Sequence, residues 1–210
     1  MSLVHQIPLF ALTALMLAIV PGQGMAMVMR QTMLGGARTG LLSVAGNSTG
    51  LLIWGILSAV GLSQVFEHSP LAYNILKYVG VAYLSFLAAS TLWTLRNGVG
   101  AFDPSGEAVK GPGAAIRLGL LTNLTNVKAC VFAVAFIPQF VPRSIPLGVG
   151  IVLLAVVQVC VSTLWWIFFV TSVDKMTRVL AHPKVRLWLT AVSAAGLIAL
   201  AFVLLVSSSR

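Results

Sequence analysis

Thr122, Asn123, Thr125, Asn126 and Lys128 crowd into one short segment of an otherwise apolar stretch, residues 119–141, GLLTNLTNVKACVFAVAFIPQFV. A soluble loop carries such a cluster at no cost. A membrane helix does not, because each unsatisfied polar group in hydrocarbon costs several kcal/mol, so partner helices or a watery cavity must compensate it. Lys128 has the most pointed chemistry. All four acids, Glu67, Asp103, Glu107 and Asp174, map to loops or span ends, so no carboxylate shares its depth. A buried cation of this kind suits the carboxylate or carbonyl oxygens of a small ligand, whereas a cationic ligand would want a buried counter-charge. The competing reading is structural: a fixed ion pair or backbone-carbonyl contact that holds the bundle.

A second irregular point lies at Pro21-Gly22-Gln23-Gly24, inside an apolar run. Proline removes a helix hydrogen bond, and the flanking glycines permit unwinding. At helical rise Pro21 sits roughly 14 Å from Arg30, and Lys128 roughly 17 Å from Arg117, which marks the same face of the membrane. The two points therefore meet near mid-membrane. A proline kink filled by neighbouring helices is one reading, and a ligand site at a helix break is the other. Gly40, Ser43, Asn47 and Gly50 recur at steps of three and four, so they share one helix face at that depth. Gly36-x-x-x-Gly40 and Gly46-x-x-x-Gly50 are spacings that let helices approach closely. Asn47 there is either interhelical glue or a ligand hydrogen bond.

The elements that must position these residues follow from composition. The chain is 59% hydrophobic and 8% charged with mean hydropathy +1.00, against about 25% charged residues in soluble domains. An all-α integral membrane protein is expected, as a single membrane domain over 1–210. The net charge of +9 does not indicate nucleic acid, because the basic residues are spread singly over short loops. Cys130 and Cys160 lack a C-x-x-C spacing and are expected to be buried free thiols. The first 20 residues carry no Lys or Arg, so they read as a retained span rather than a signal peptide. His68 reads as a solvated loop residue and Lys77 as a snorkelling span-end lysine. No phosphate loop, metal-ligand pattern or Ser/His/Asp set is present, so neither an enzyme, a metal nor a cofactor is expected.

Apolar length predicts six transmembrane helices, at about 3–29, 41–66, 71–95, 117–141, 147–171 and 187–206. Nine Lys and Arg fall in the loops of one side and two on the other, which predicts a cytoplasmic nine-residue side and both termini outside. The polar linker, about 97–116, separates half one, about 1–96, from half two, about 117–210. Three spans per half is the arithmetic of two inverted three-helix halves. In the fifth span Gln158, Ser162 and Thr163 precede Trp165-Trp166, which reads as an interface belt or as core packing.

Asn123-Leu124-Thr125-Asn126-Val127-Lys128, then Phe132 and Pro138-Gln139-Phe140, resembles the lysine exporter / homoserine–threonine exporter (LysE/RhtB) family, whose pattern is N-x-x-N-P-K followed by Phe and P-Q-F. Pro21-Gly22-Gln23-Gly24 is similar to that family's P-G-x-G variant, and Gly35-Gly36, Arg38, Gly40 and Gly80 with Tyr83-Leu84 fit as well. The chain departs at Val127, where the family has proline. The resemblance implies secondary active efflux of amino acids or derivatives through a six-span protein of the bacterial inner membrane. It further implies coupling to the proton-motive force and leaves room for a homodimer. The missing mid-membrane carboxylate favours small neutral substrates of the threonine, homoserine or homoserine lactone type over cationic amino acids. The expected substrate-binding set is Pro21, Gly22, Gln23, Gly24, Asn47, Asn123, Asn126 and Lys128. A membrane-embedded thiol or redox protein and a channel-like subunit are the alternatives. The first needs a reactive cysteine pair and the second a continuous polar lining.

Overall fold

The computed structural model describes residues 3–19, 22–68, 70–96, 109–172 and 183–206. The described residues form helices and turns, with no strand among them. The helices are α1 (Leu3–Ile19), α2 (Gln23–His68), α3 (Pro70–Arg96), α4 (Pro112–Leu124), α5 (Val127–Val131), α6 (Leu147–Thr171) and α7 (Pro183–Val206). After α5 the chain runs on as a π-helical turn, Phe132–Phe136, and a 3₁₀ turn, Ile137–Phe140. Most of the linker, the segment 173–182 and Pro21 lie outside the described residues, as do the side chains of His68 and Lys77.

Two segments differ from the expected spans. The expected first span, 3–29, is interrupted after Ile19, and its second part is continuous with the expected second span as the 46-residue α2. The basic stretch around Arg30 and Arg38 is helix rather than loop. The reversal is confined to Gly36, whose φ of 77° and ψ of 171° only glycine adopts at low cost. The expected fourth span, 117–141, is also broken: α4 and the segment Val127–Phe140 meet at a bend of 59°. Among the described residues, two helices can each cross a bilayer by length and composition, Gln23–Gly61 and Leu147–Thr171, and the bent pair makes a third if it is one span.

The main pairings are α2 with α4, α2 with α6, α3 with α7 and α1 with α6. Glycines set the first. A Cβ on Gly46 would collide with the Ile116 carbonyl and lie 2.8 Å from the Leu120 nitrogen, and one on Gly119 would collide with the Ser43 carbonyl and lie 2.9 Å from the Asn47 nitrogen. The two backbones thus touch, as small residues allow, and Gly40, Ser43, Asn47 and Gly50 are all buried as expected of one face. Gly36 is the exception among the small-residue positions. It has open space around it and serves the kink, not a helix contact.

One core wraps Phe10, Phe132, Phe136 and Phe140, whose rings pack in sequence at centroid distances of 4.9–5.9 Å. The i, i+4 spacing of the last three places them along one face of the irregular helix. A second core joins Met25, Val28 and Met29 of α2 to Trp166, Phe169 and Val170 of α6. Large apolar residues such as Trp93, Leu164 and Phe202 point outward, an exterior suited to hydrocarbon. The thiols correct one expectation. Both are free, but Cys130 is half-buried and Cys160 is exposed on the outward face of α6, where a small apolar group needs no burial inside the protein.

Candidate functional site

The two broken segments meet at one cavity of about 40 Å3 open to water centres, room for roughly three waters. Leu17 and Ala18 reach it from the end of α1, Gly24 and Met25 from the start of α2, and Asn47 and Leu51 from beyond the kink. Asn123, Asn126, Lys128 and Ala129 come from the second break, and Gln158, Ser162 and Trp166 from α6.

Each break has a local cause. At the second, Asn126 is extended (φ −82°, ψ 98°) and caps α5, its Oδ1 accepting from the Lys128 backbone N–H at 3.1 Å. This is the ordinary work of asparagine at a helix start. The Asn123 carbonyl, freed at the end of α4, accepts from Asn126 N–H at 3.0 Å and from Trp54 Nε1 at 3.3 Å. At the first break, the Lys128 ammonium donates to the Leu17 carbonyl at 3.2 Å, in the last turn of α1, where a helix leaves its carbonyls unpaired and favours a cation. A Cβ on Gly22 would lie 3.4 Å from Lys128 Nζ, so the glycine leaves the backbone open beside the ammonium.

Asn47 is the interhelical partner that its position suggested: its Oδ1 accepts from Asn123 Nδ2 at 3.0 Å. That bond sets the direction of the Asn123 amide and leaves Asn123 Oδ1 buried with no hydrogen-bond partner among the described residues. Gln158 Oε1 is in the same condition. Their residues are only 2% and 1% exposed. An orphaned buried acceptor costs about 1–3 kcal/mol, and a Cβ on Gly50 would lie 2.8 Å from Asn123 Oδ1, so that oxygen faces the contact between α2 and α4.

Of the residues expected to form a site, the structure brings Gly24, Asn47, Asn123, Asn126 and Lys128 to the cavity and Gly22 beside Lys128. Gln23 is exposed and does not line it, because the first turn of α2 turns that side chain outward. Pro21 lies outside the described residues. Sequence reasoning left Gln158, Ser162 and Trp166 out of the set; their shared i, i+4, i+8 face was the available signal. Trp166 is thereby core rather than an interface belt.

Val127 answers the departure from the family pattern. It is the first residue of α5, follows an extended residue, and makes no backbone N–H bond among those described. That is where proline is tolerated best. Val127→Pro is therefore expected to keep the fold and to stabilise it by about 0.4–1 kcal/mol, read as an unchanged or higher melting temperature in detergent. A clear fall in melting temperature would contradict this geometry.

A family model described as LysE type translocator matches residues 15–208. The chain is 32% identical over 176 residues to a homoserine/homoserine lactone efflux protein of Salmonella typhimurium, covering 83% of this chain and 84% of the relative. It is 29% identical over 172 residues to a leucine efflux protein of Salmonella choleraesuis, covering 81% and 80%. It is 27% identical over 190 residues to an uncharacterized membrane protein of Bacillus subtilis, YrhP, covering 87% and 88%. No solved structure matches. With the paired helix breaks and the polar cavity between them, the match over nearly the whole length settles membership: the chain belongs to the LysE type translocator family.

Proposed function

We propose that the protein exports small neutral amino acids or their derivatives across the bacterial cytoplasmic membrane, binding them at the cavity between the two breaks. The observation that carries this reading is Lys128, the one charged side chain lining the cavity among the described residues. Its ammonium, with the backbone beside Gly22 and Gly24 at the start of α2, suits a carboxylate or a lactone carbonyl. A cationic side chain would meet repulsion there and no carboxylate among the lining residues. An unpaired charge at that depth costs at least about 2.5–3.5 kcal/mol. Relatives named for homoserine, homoserine lactone and leucine efflux fit this preference.

A multi-pass chain of six crossings, made of two inverted halves, belongs to the same reading. α1 with the start of α2 corresponds to α4 with α5, the rest of α2 to α6, and α3 to α7. Exchanging the halves maps the α2–α4 and α1–α6 pairings onto each other and the α3–α7 pairing onto itself. Alternating access by rocking one half against the other would then expose the cavity to each side in turn. The reading assigns no bond-making step to the protein.

The test is an efflux assay with a panel of threonine, homoserine, homoserine lactone, leucine, lysine and arginine in cells making the protein. Export of, and tolerance to, the neutral compounds is the expected result. Protection confined to lysine, arginine or their cationic analogues would overturn the substrate class.

A further inference from the structure

Glycine is a poor helix former, because it has more backbone freedom to lose than alanine, so a glycine inside a helix calls for a reason. At Gly40, Gly46, Gly50, Gly55, Gly119 and Gly150 the reason is contact: all are buried, and a Cβ on each would collide with a neighbouring group. At Gly36 it is a positive φ. Gly24 has neither reason. It is buried in the first turn of α2, its φ is not positive, and a Cβ there would meet one atom within 4 Å, Asn47 Oδ1 at 3.5 Å, an ordinary van der Waals distance. The space left by its missing side chain belongs to the cavity, which Gly24 and Asn47 both line. We infer that Gly24 is a specificity-determining residue, which sets the size of substrate side chain that the cavity accepts. The inference rests on the export reading and deepens it, by naming the residue that limits the substrate class.

Two glycines divide the work. A Cβ on Gly22 would lie 3.4 Å from Lys128 Nζ, so Gly22 stands beside the group that takes the carboxylate. A Cβ on Gly24 would have no atom of Lys128 within 4 Å and faces Asn47 instead. A substrate held by its carboxylate at Lys128 and lying along this backbone therefore brings its side chain to Gly24. The walls there suit a small neutral side chain: Met25 next in the chain, Asn47, and Leu51 one turn beyond Asn47 on the same helix face. One added methyl is a large share of a cavity of about 40 Å3. It would shorten the room for the substrate without moving the walls, because its one neighbour stays at contact distance. Folding and binding are thus separable at Gly24, unlike at Gly119, where a methyl meets backbone.

The test uses energised everted membrane vesicles containing the full chain, with labelled homoserine as the probe. Gly24→Ala is compared with wild type and with Gly61→Ala, a substitution in the same helix at an exposed glycine that has nothing within 4 Å of its Cβ. Gly24→Ala is expected to reach the membrane in wild-type amounts and to raise the KM for homoserine about fivefold or more, the low end of what overpacking does. Vmax is expected to change much less, and Gly61→Ala to keep the wild-type KM. Competition by unlabelled leucine is expected to weaken by a larger factor than competition by threonine, because leucine carries the bulkier side chain. A role of Gly24 in helix flexibility would instead lower Vmax and weaken both competitors alike. An unchanged KM in Gly24→Ala, a fall in Vmax alone, or an equal rise in KM in Gly61→Ala overturns the inference and leaves the export reading standing. Absence of homoserine uptake by wild type overturns the export reading and this inference with it.

Discussion

Gly119→Ala is expected to cost more than about 3 kcal/mol and to strip most of the protein from the membrane fraction. Overpacking a core usually costs about 1–3 kcal/mol, because side chains can shift. Here the new methyl would meet the Ser43 carbonyl and the Asn47 nitrogen, which are backbone, so only a displacement of α2 as a whole relieves it. That displacement would separate Asn47 from Asn123, whose hydrogen bond spans the same contact. Membrane abundance and detergent melting temperature are the measurements. Wild-type values for both would mean that α2 and α4 do not touch at Gly119.

Lys128→Met has the largest expected effect on function. Methionine keeps much of the side-chain volume and removes the ammonium. The Leu17 carbonyl would lose its Lys128 bond, a loss of about 1–3 kcal/mol that a bundle with two apolar cores is expected to survive. Efflux is expected to fall about 10- to 100-fold or more, the effect of deleting a charge-assisted hydrogen bond to the substrate. Quantified membrane abundance alongside export separates the two effects. Normal export from normal amounts of protein would leave Lys128 with the structural role of closing α1 and nothing more.

Much of the site was legible in the sequence because polar groups are costly in hydrocarbon and stand out against it. The cluster around Lys128 came from that contrast, the break near Gly22 from Pro21 and its flanking glycines, and the buried face of Ser43, Asn47 and Gly50 from their spacing of three and four. α3 and α6 followed from apolar length almost to the residue. Helix continuity was not legible in the same way. Arg30 and Arg38 suggested a loop, yet the chain stays helical on either side and turns at Gly36 alone, a backbone event with no hydropathy signature. The break at Asn126 was hidden because Val127 stands where a proline would have announced it, leaving only the capping asparagine as a cue. Gln158 was missed for a different reason: a lone amide in an apolar span does not say which neighbours it faces, and its orphaned oxygen exists only in three dimensions.

The central claim is that Lys128, in the cavity between the breaks, favours small substrates with a carboxylate or carbonyl oxygen over those with a cationic side chain. The most direct measurement is uptake of labelled homoserine into energised everted vesicles, with unlabelled homoserine, threonine or lysine as competitors, for the wild-type chain and for Lys128→Met. The account predicts uptake by wild type that homoserine and threonine suppress and lysine does not, and little uptake by Lys128→Met. Suppression by lysine as strong as that by threonine, or undiminished uptake by Lys128→Met, would contradict it.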